Sequence, residues 1–509
     1  MDENTTIKTL VRGRWIITDP SLGMDGILED GAVAIDDKGQ VGDVDAFDRL
    51  TASHPEATIE GSADALVMPG MIDAHSHGMG LSYFELGLGY DHLESWNLQL
   101  PSVARPDPYL DHIWCAIKHL RSGCTTLHHM GDNPDIAVQS YRDLGIRWAF
   151  SLTVKNRNFI TYDDPAFLKT LPDELHQAVR SHILKDPEQV KNQFLDHFDR
   201  AWTKYHTPGT PVFLGPMGAQ WCTEDLLTAC RDRASKYGTR IHMHGVQTPY
   251  QREALLREHE KSAIEYLADL DVLGPNFTLG HGVWLNDRDM DLLAESGTSL
   301  THHASCNLHM RNGILPLPEL LARGIPVAIG VDGKGINDDE DMIQELKVVE
   351  KLHRLYDLTF GAPLLSAETI VQMATQGGAH VLGLETVVGT LTQGKAADIT
   401  VIDMVEHPWM DPKNSPYERL VMHTPARDVH TVLVDGQVVM RDREILTLDE
   451  EALLDDLYQS IRDSVARAAP TDTSRTMKAL YPHVKAFYAD WEPVPNQPFT
   501  PYYAVNRKC

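Results

Sequence analysis

The 509 residues carry 45 basic against 73 acidic side chains, a formal charge of −28, with 42% hydrophobic residues. So acidic a chain lacks the basic footprint that nucleic acids and anionic membranes require, and its length asks for one large domain with an accessory one. Met1-Asp2-Glu3-Asn4 opens no basic-then-apolar leader, and no run approaches the roughly 18 apolar residues of a membrane span. Cysteines 115, 124, 222, 230, 306 and 509 form no Cys-x-x-Cys pair. They read as reduced thiols, and the expectation is a cytoplasmic protein.

Residues 7–18 alternate like a half-exposed strand, and residues 31–41 read as a hairpin around Asp37-Lys38-Gly39. Residues 1–65 are therefore a small β region. From residue 66 short apolar runs recur at 67–74, 124–130, 147–153, 211–217, 239–244, 276–281, 298–302 and 326–332. Amphipathic segments such as 109–122, 223–237, 250–269 and 340–356 separate them. Eight strands alternating with helices predict a (β/α)8 TIM-like barrel over residues 66–389. An open doubly wound sheet would not readily converge side chains from its first, fifth, sixth and eighth strands. In residues 390–445 the β texture returns, and this stretch is expected to pair with residues 1–65 as a small β-sandwich built from both ends of the chain. Residues 446–509 form a C-terminal extension, helical at 449–468 and 473–491 and then too proline-rich for helix.

The chemistry-bearing residues sit at the ends of the apolar runs. His75 and His77 close the first; at i and i+2 of a strand they share a face. His242 and His244 do the same at the fifth run, with Gln247 three residues on. His281 ends the sixth, His302-His303 the seventh, and Asp332 the eighth, in Ile329-Gly330-Val331-Asp332-Gly333. An aspartate after small and apolar residues is costly to bury unless it is paired or binds metal. Three imidazoles and a carboxylate leave a position open for water, the logic of a catalytic zinc or similar divalent ion. Bound water then becomes hydroxide near neutral pH, with Asp332 placed to take its proton.

Pro69-Gly-Met-Ile-Asp-Ala-His-Ser-His77 resembles the signature "PGLVNAHTH" of the amidohydrolase superfamily. Leu279-Gly-His-Gly-Val-Trp-Leu285 is similar to its sixth-strand motif, and Cys306-Asn307-Leu through Pro316 matches "SNLxLxSGxxP" in spacing. Gly330-Val-Asp-Gly333 through Asp341-Met342 resembles "GTDG…LDM", and Gly389 through Ile399 resembles "GSLxxGKxADL". The likeness covers about residues 7–445. It is greatest to the branch of cytosine, guanine and adenosine-analogue deaminases and s-triazine hydrolases.

This resemblance implies a mononuclear site with His75, His77, His244 and Asp332 as ligands of one divalent ion, zinc first and iron second. It implies His281 as the histidine that polarises the substrate and steadies the tetrahedral intermediate. His302 falls where the family often carries a histidine; its other reading is a structural hydrogen bonder. In one respect the chain departs from the pattern. The deaminases' fifth-strand motif is usually "HxxE", whereas Gln247 cannot carry a proton near neutral pH. Among substrate contacts, Trp284 could stack on a flat ring, and Asn337 or Asp338 could hydrogen-bond it. One of His128-His129 could face the pocket, with His129 named as the contact, although a filler role is the reading favoured for the pair. The alternatives are packing for Trp284 and His129, and a helix-capping turn for residues 337–341.

The expectation is a metal-dependent hydrolase that deaminates a nitrogen heterocycle through metal-bound hydroxide. The alternatives are displacement of chloride or another good leaving group from an s-triazine-like ring, cyclic amide hydrolysis and, more remotely, a non-catalytic scaffold. Its partner is a small heterocyclic substrate, and the resemblance implies a homodimer or larger homo-oligomer.

Overall fold

The structure is a computed structural model that describes residues 6–89, 91–157, 164–333, 339–354, 361, 364–404, 415–489 and 491. Its first body is a nine-stranded sheet from both ends of the chain. The N-terminal strands are β1 (Ile7–Ile17), β2 (Ile27–Asp36), β3 (Val41–Ala46), β4 (Thr58–Gly61) and β5 (Ala65–Pro69). The second body is a barrel of eight parallel strands: β6 (Met71–Ser76), β7 (Cys124–Gly131), β8 (Arg147–Val154), β9 (Val212–Pro216), β10 (Ile241–Gly245), β11 (Phe277–His281), β12 (Ser299–His302) and β13 (Val327–Ile329). These pair in sequence order, with helices between them, as the alternation of apolar runs predicts. After the barrel, β14 (Ile399–Asp403), β15 (Val429–Val434), β16 (Gln437–Arg441) and β17 (Glu444–Ile445) return to the first sheet.

The nine strands form one continuous hydrogen-bonded path, β17-β16-β15-β14-β5-β1-β2-β3 with β4 on β1. Antiparallel pairing of β14 with β5 joins the two ends of the chain. Val11, Val33, Val67, Ile399 and Leu433 from both ends share a single apolar core. The run read as one strand over 67–74 is two strands that serve different sheets. Gly70 N donates to Asp398 O at 2.9 Å, and Met71 N donates to Gly123 O at 3.0 Å, so the chain changes sheets at the Pro69-Gly70 step. A buried Arg147–Asp398 ion pair, 2.8 Å, ties the start of β8 to the sheet domain. Helices Glu450–Arg467 and Asp472–Ala489 follow the last strand.

Barrel closure is irregular. Between β13 and β6 the backbone pairing is a single parallel bridge, Ser76 to Asp332, supported by Asp332 N donating to His75 O at 2.8 Å. The strands approach closely because residue 330 is glycine: a Cβ there would lie 2.8 Å from His75 N and 2.9 Å from its Cβ.

Candidate metal centre

The period of two along each strand decides which side chains enter the barrel. His75 and His77 come from the end of β6, His242 and His244 from β10, His281 from the last position of β11. Asp332 follows β13. All six are nearly or wholly buried. His281 and Asp332 have φ of +72° and +68°, left-handed conformations that non-glycine residues adopt at a cost. Both sit where a strand stops and the chain must turn while its side chain still faces inward.

Three imidazoles present the same edge to one point. His77 Nδ1 is 3.1 Å from Met130 O and His244 Nδ1 is 3.0 Å from Met217 O, so each donates from Nδ1 to a backbone carbonyl. His75 Nδ1 is engaged 2.7 Å from His242 Nε2. Such outer contacts fix the tautomer and turn Nε2 toward the shared point. The Nε2 atoms of His77 and His244 are 3.3 Å apart. Asp332 Oδ1 lies 3.3 Å from His77 Nε2 and 3.7 Å from His75 Nε2. A tetrahedral ion with bonds of about 2.0–2.1 Å has ligand atoms roughly 3.3–3.4 Å apart. Among the described residues, the buried His75 Nε2 has no hydrogen-bond partner. Donor spacing, tautomers and this orphaned nitrogen all fit a divalent ion held by His75, His77, His244 and Asp332.

Electrostatics agree with the donor set. Burial pushes His75 well below the ordinary histidine range, so its ring is neutral, as a metal-binding imidazole must be. Burial would raise Asp332, but the neighbouring His75 and His77 outweigh it and hold the carboxyl well below the usual range. Cys306 donates its thiol to Asp332 Oδ2 at 2.8 Å.

His281 stands beside this cluster, with Nε2 3.6 Å from Asp332 Oδ2. Its Nδ1 lies 3.1 Å from Asn307 Oδ1 and 3.2 Å from His303 Nδ1. Asn307 Oδ1 accepts, so Nδ1 carries the proton and Nε2 faces the site. His303 is a residue that sequence reasoning passed over. Its Nε2 bonds Thr301 Oγ1 at 2.9 Å, and its ring lies 4.2 Å from that of His75.

Two expected contacts lie elsewhere. His302 turns out of the barrel, with Nε2 3.0 Å from His353 Nε2 beyond the helix Met342–Leu352. Thr301 and His303 share the inner face, so the residue between them must face outward. His129 likewise leaves the barrel, its Nδ1 2.6 Å from Tyr141 Oη on the helix Pro134–Leu144. Its neighbour His128 faces inward instead, against Ser151 Oγ at 2.7 Å and close to His242. Burial pushes His128 down to about 4. Counting two residues along the strand from a neighbour of known orientation is the signal that could have separated each pair.

Trp284 is buried, and its Nε1 donates to Asn312 O at 2.6 Å, so its polar edge is used within the chain. Gln247 is 3% exposed, its backbone N–H held by Gln251 Oε1 at 2.9 Å. The next residue, Thr248, donates to Glu94 Oε1 at 2.5 Å. Asn337 and Asp338 lie outside the described residues. A second trio with metal-binding side chains, Cys115, His119 and Glu340, lies within 4.8 Å. Both His119 nitrogens there are already engaged, by Cys115 O and Asp73 Oδ2, each at 2.8 Å.

Comparison with known proteins gives consistent relatives. The chain is 29% identical to 5'-deoxyadenosine deaminase of Methanopyrus kandleri over 442 residues, 84% of this chain and 94% of that protein. A zinc-bound adenosine deaminase from Xanthomonas campestris superposes with a TM-score of 0.76 at 20% identity, covering 91% of this chain and 99% of that one. The zinc complex of atrazine chlorohydrolase from Arthrobacter aurescens gives 0.74 at 22% identity, over 89% and 100%. The sequence model of the amidohydrolase family matches residues 66–439, which include every residue of the candidate donor set, and the chain belongs to that family.

Proposed function

We propose that this protein is a metal-dependent aminohydrolase that replaces the exocyclic amine of a 6-aminopurine nucleoside, or a closely related amino-heterocycle, with oxygen. The observation that carries this reading is the convergence of three imidazoles whose Nδ1 atoms are already tethered, with Asp332 completing the donor set. Similarity to a nucleoside deaminase along most of the chain supports the substrate class.

One zinc ion per chain is the occupant we propose; when bound it supplies a Lewis acid and acidifies water to a pKa of about 7. His75, His77 and His244 hold it as neutral ligands, and Asp332 adds the charge. Two groups can accept a proton beside the reacting carbon: Asp332 and His281 Nε2. His281 accepts there because its Nδ1 proton is committed to Asn307. Once doubly protonated it stands as a cation beside the developing negative charge. It is also the donor from which the leaving amine takes its proton. Water supplies both protons: one leaves on the amine as ammonia, and the other ends on the ring nitrogen of the oxo product. The same proposal includes a homo-oligomer working in the cytoplasm and the division of the chain at residues 65, 389 and 445.

Gln247 favours a second reading. Without a carboxylate at this position, a group that leaves as a stable anion needs no proton, so displacement of chloride from an s-triazine-like ring fits the same site. Incubating the zinc-loaded protein with adenosine analogues, aminopyrimidines and chloro-s-triazines, followed by mass spectrometry, separates these outcomes. Ammonia release with amine-to-oxygen exchange supports the first reading. Chloride release alone moves the second to the front, and an inert panel with a fully loaded site sinks both.

A further inference from the structure

The barrel's weakest seam lies between the two strands that carry most of the ligands, and a side chain does there what backbone pairing does not. Asp73, on β6 two residues before His75, is wholly buried. Its Oδ1 accepts from His75 N at 3.1 Å on its own strand and from Val331 N at 3.0 Å across the seam. Val331 immediately precedes Asp332. One carboxylate oxygen therefore grips the backbone beside a ligand on each side of the gap. Gly330 lets the strands come close enough for this.

The other oxygen, Oδ2, is held 2.8 Å from Nε2 of His119, a wholly buried residue on the helix Pro108–Arg121. His119 Nδ1 faces the carbonyl of Cys115 at 2.8 Å. With Cys115 O and Asp73 Oδ2 at its two nitrogens, the ring is anchored at both ends. A buried pair of this kind is expensive to desolvate and weak as a source of stability alone. What it does hold is geometry: the helix fixes the carboxylate, and the carboxylate fixes two backbones.

We propose that Asp73, anchored by His119, is a positioning residue that sets the spacing between His75 and Asp332 across the barrel seam and so tunes metal affinity. It touches neither metal nor substrate. The inference rests on the ligand assignment above but not on the identity of the substrate.

The test is zinc affinity by chelator competition, with the visible spectrum of the cobalt-substituted protein as a second readout. Asp73→Ala is expected to weaken zinc binding by about 10–100-fold, the usual cost of removing an outer-shell partner. Asp73→Asn keeps an oxygen for both N–H groups and should recover most of that loss, while His119→Gln should lose affinity by severalfold. Asp398→Asn, which breaks the buried pair with Arg147, controls for general destabilisation and should stay within about threefold of wild type. Altered cobalt absorption in Asp73→Ala, absent in the control, would support the same conclusion. If Asp73→Ala does not fold, His119→Gln carries the test, and unchanged affinity in it overturns the proposal. So does an Asp73→Ala affinity that matches the Asp398→Asn control. A wild-type protein that refuses zinc would instead sink the ligand assignment.

Discussion

His303 Nδ1 lies 3.2 Å from His281 Nδ1, whereas its neighbour His302 points away to meet His353 at 3.0 Å. Two consecutive histidines thus belong to different environments, one lining the barrel interior and the other packed behind its wall. His303 is wholly buried and, like Asn307, meets His281 at Nδ1.

Replacing the two should therefore separate catalysis from stability. His303→Asn is expected to lower kcat by about 10–100-fold with zinc retained, the scale of an outer-shell contact that orients a reacting imidazole. His302→Asn should cost about 1–3 kcal/mol of stability through a lost buried partner and leave kcat within a few fold. Steady-state kinetics beside thermal melts decide it. The reverse pattern would return His302 to the site.

Gln247 is the position at which this chain's proton handling can be altered without touching a ligand. A glutamate there would be buried, and burial raises a carboxyl toward neutral pH, where it can both take and give a proton. Gln247→Glu should speed amine release by about 10²-fold, in line with a positioned general acid, and leave displacement of a halide unchanged. Equal rates on an amino-substrate would mean that His281 and Asp332 already carry the proton.

Much of this centre can be read from spacing. His75 with His77, His242 with His244, and Asp332 at the end of its own run all enter the barrel because strand periodicity puts them there. Register within a two-histidine step is harder. His128-His129 and His302-His303 each offer one inward and one outward ring, and only the position of the neighbouring Thr301 or Ser151 side chain tells which. Asp73 escaped notice because it reads as part of a motif whose histidines draw attention. Its role depends on Val331 and His119, which are 258 and 46 residues away and meet it only when the barrel closes. The apolar run divides between two sheets at Pro69-Gly70, a turn-favouring pair masked by the apolar texture on either side.

Metal removal should expose how much of the barrel mouth the ion organises. Without it, four buried donors face one another with no shared counter-charge. Chelation is expected to lower the melting temperature, and zinc at 100–1,000 times its dissociation constant should restore about 3–4 kcal/mol. Asp332→Ala should abolish both the rise and the activity. Differential scanning calorimetry with and without zinc checks this. A wild-type melt indifferent to zinc would argue against a site formed by these four residues.

Several carboxyls are buried with no cation beside them among the described residues, and their linkage to pH has a definite sign. Burial raises Glu345 from 4.5 to about 7, only partly offset by bonds from the Ser305 backbone and side chain. Burial likewise raises Glu94 from 4.5 to about 7. The folded state therefore binds these protons more tightly than the unfolded state. Their contribution is full below about pH 4.5 and is lost as pH rises through about 7. For Glu345 a difference of this size amounts to about 3 kcal/mol. Asp332 acts in the opposite sense, but its loss lies below the ordinary carboxylate range and outside this window. Glu345→Gln keeps the oxygen that accepts from Ser305 N at 3.1 Å and removes the titration. Chemical denaturation of the metal-free protein between pH 4.5 and 8 should show wild type losing stability relative to this variant, the gap widening by about 3 kcal/mol across the range. Parallel curves would mean that Glu345 ionises in the fold as readily as in the unfolded chain.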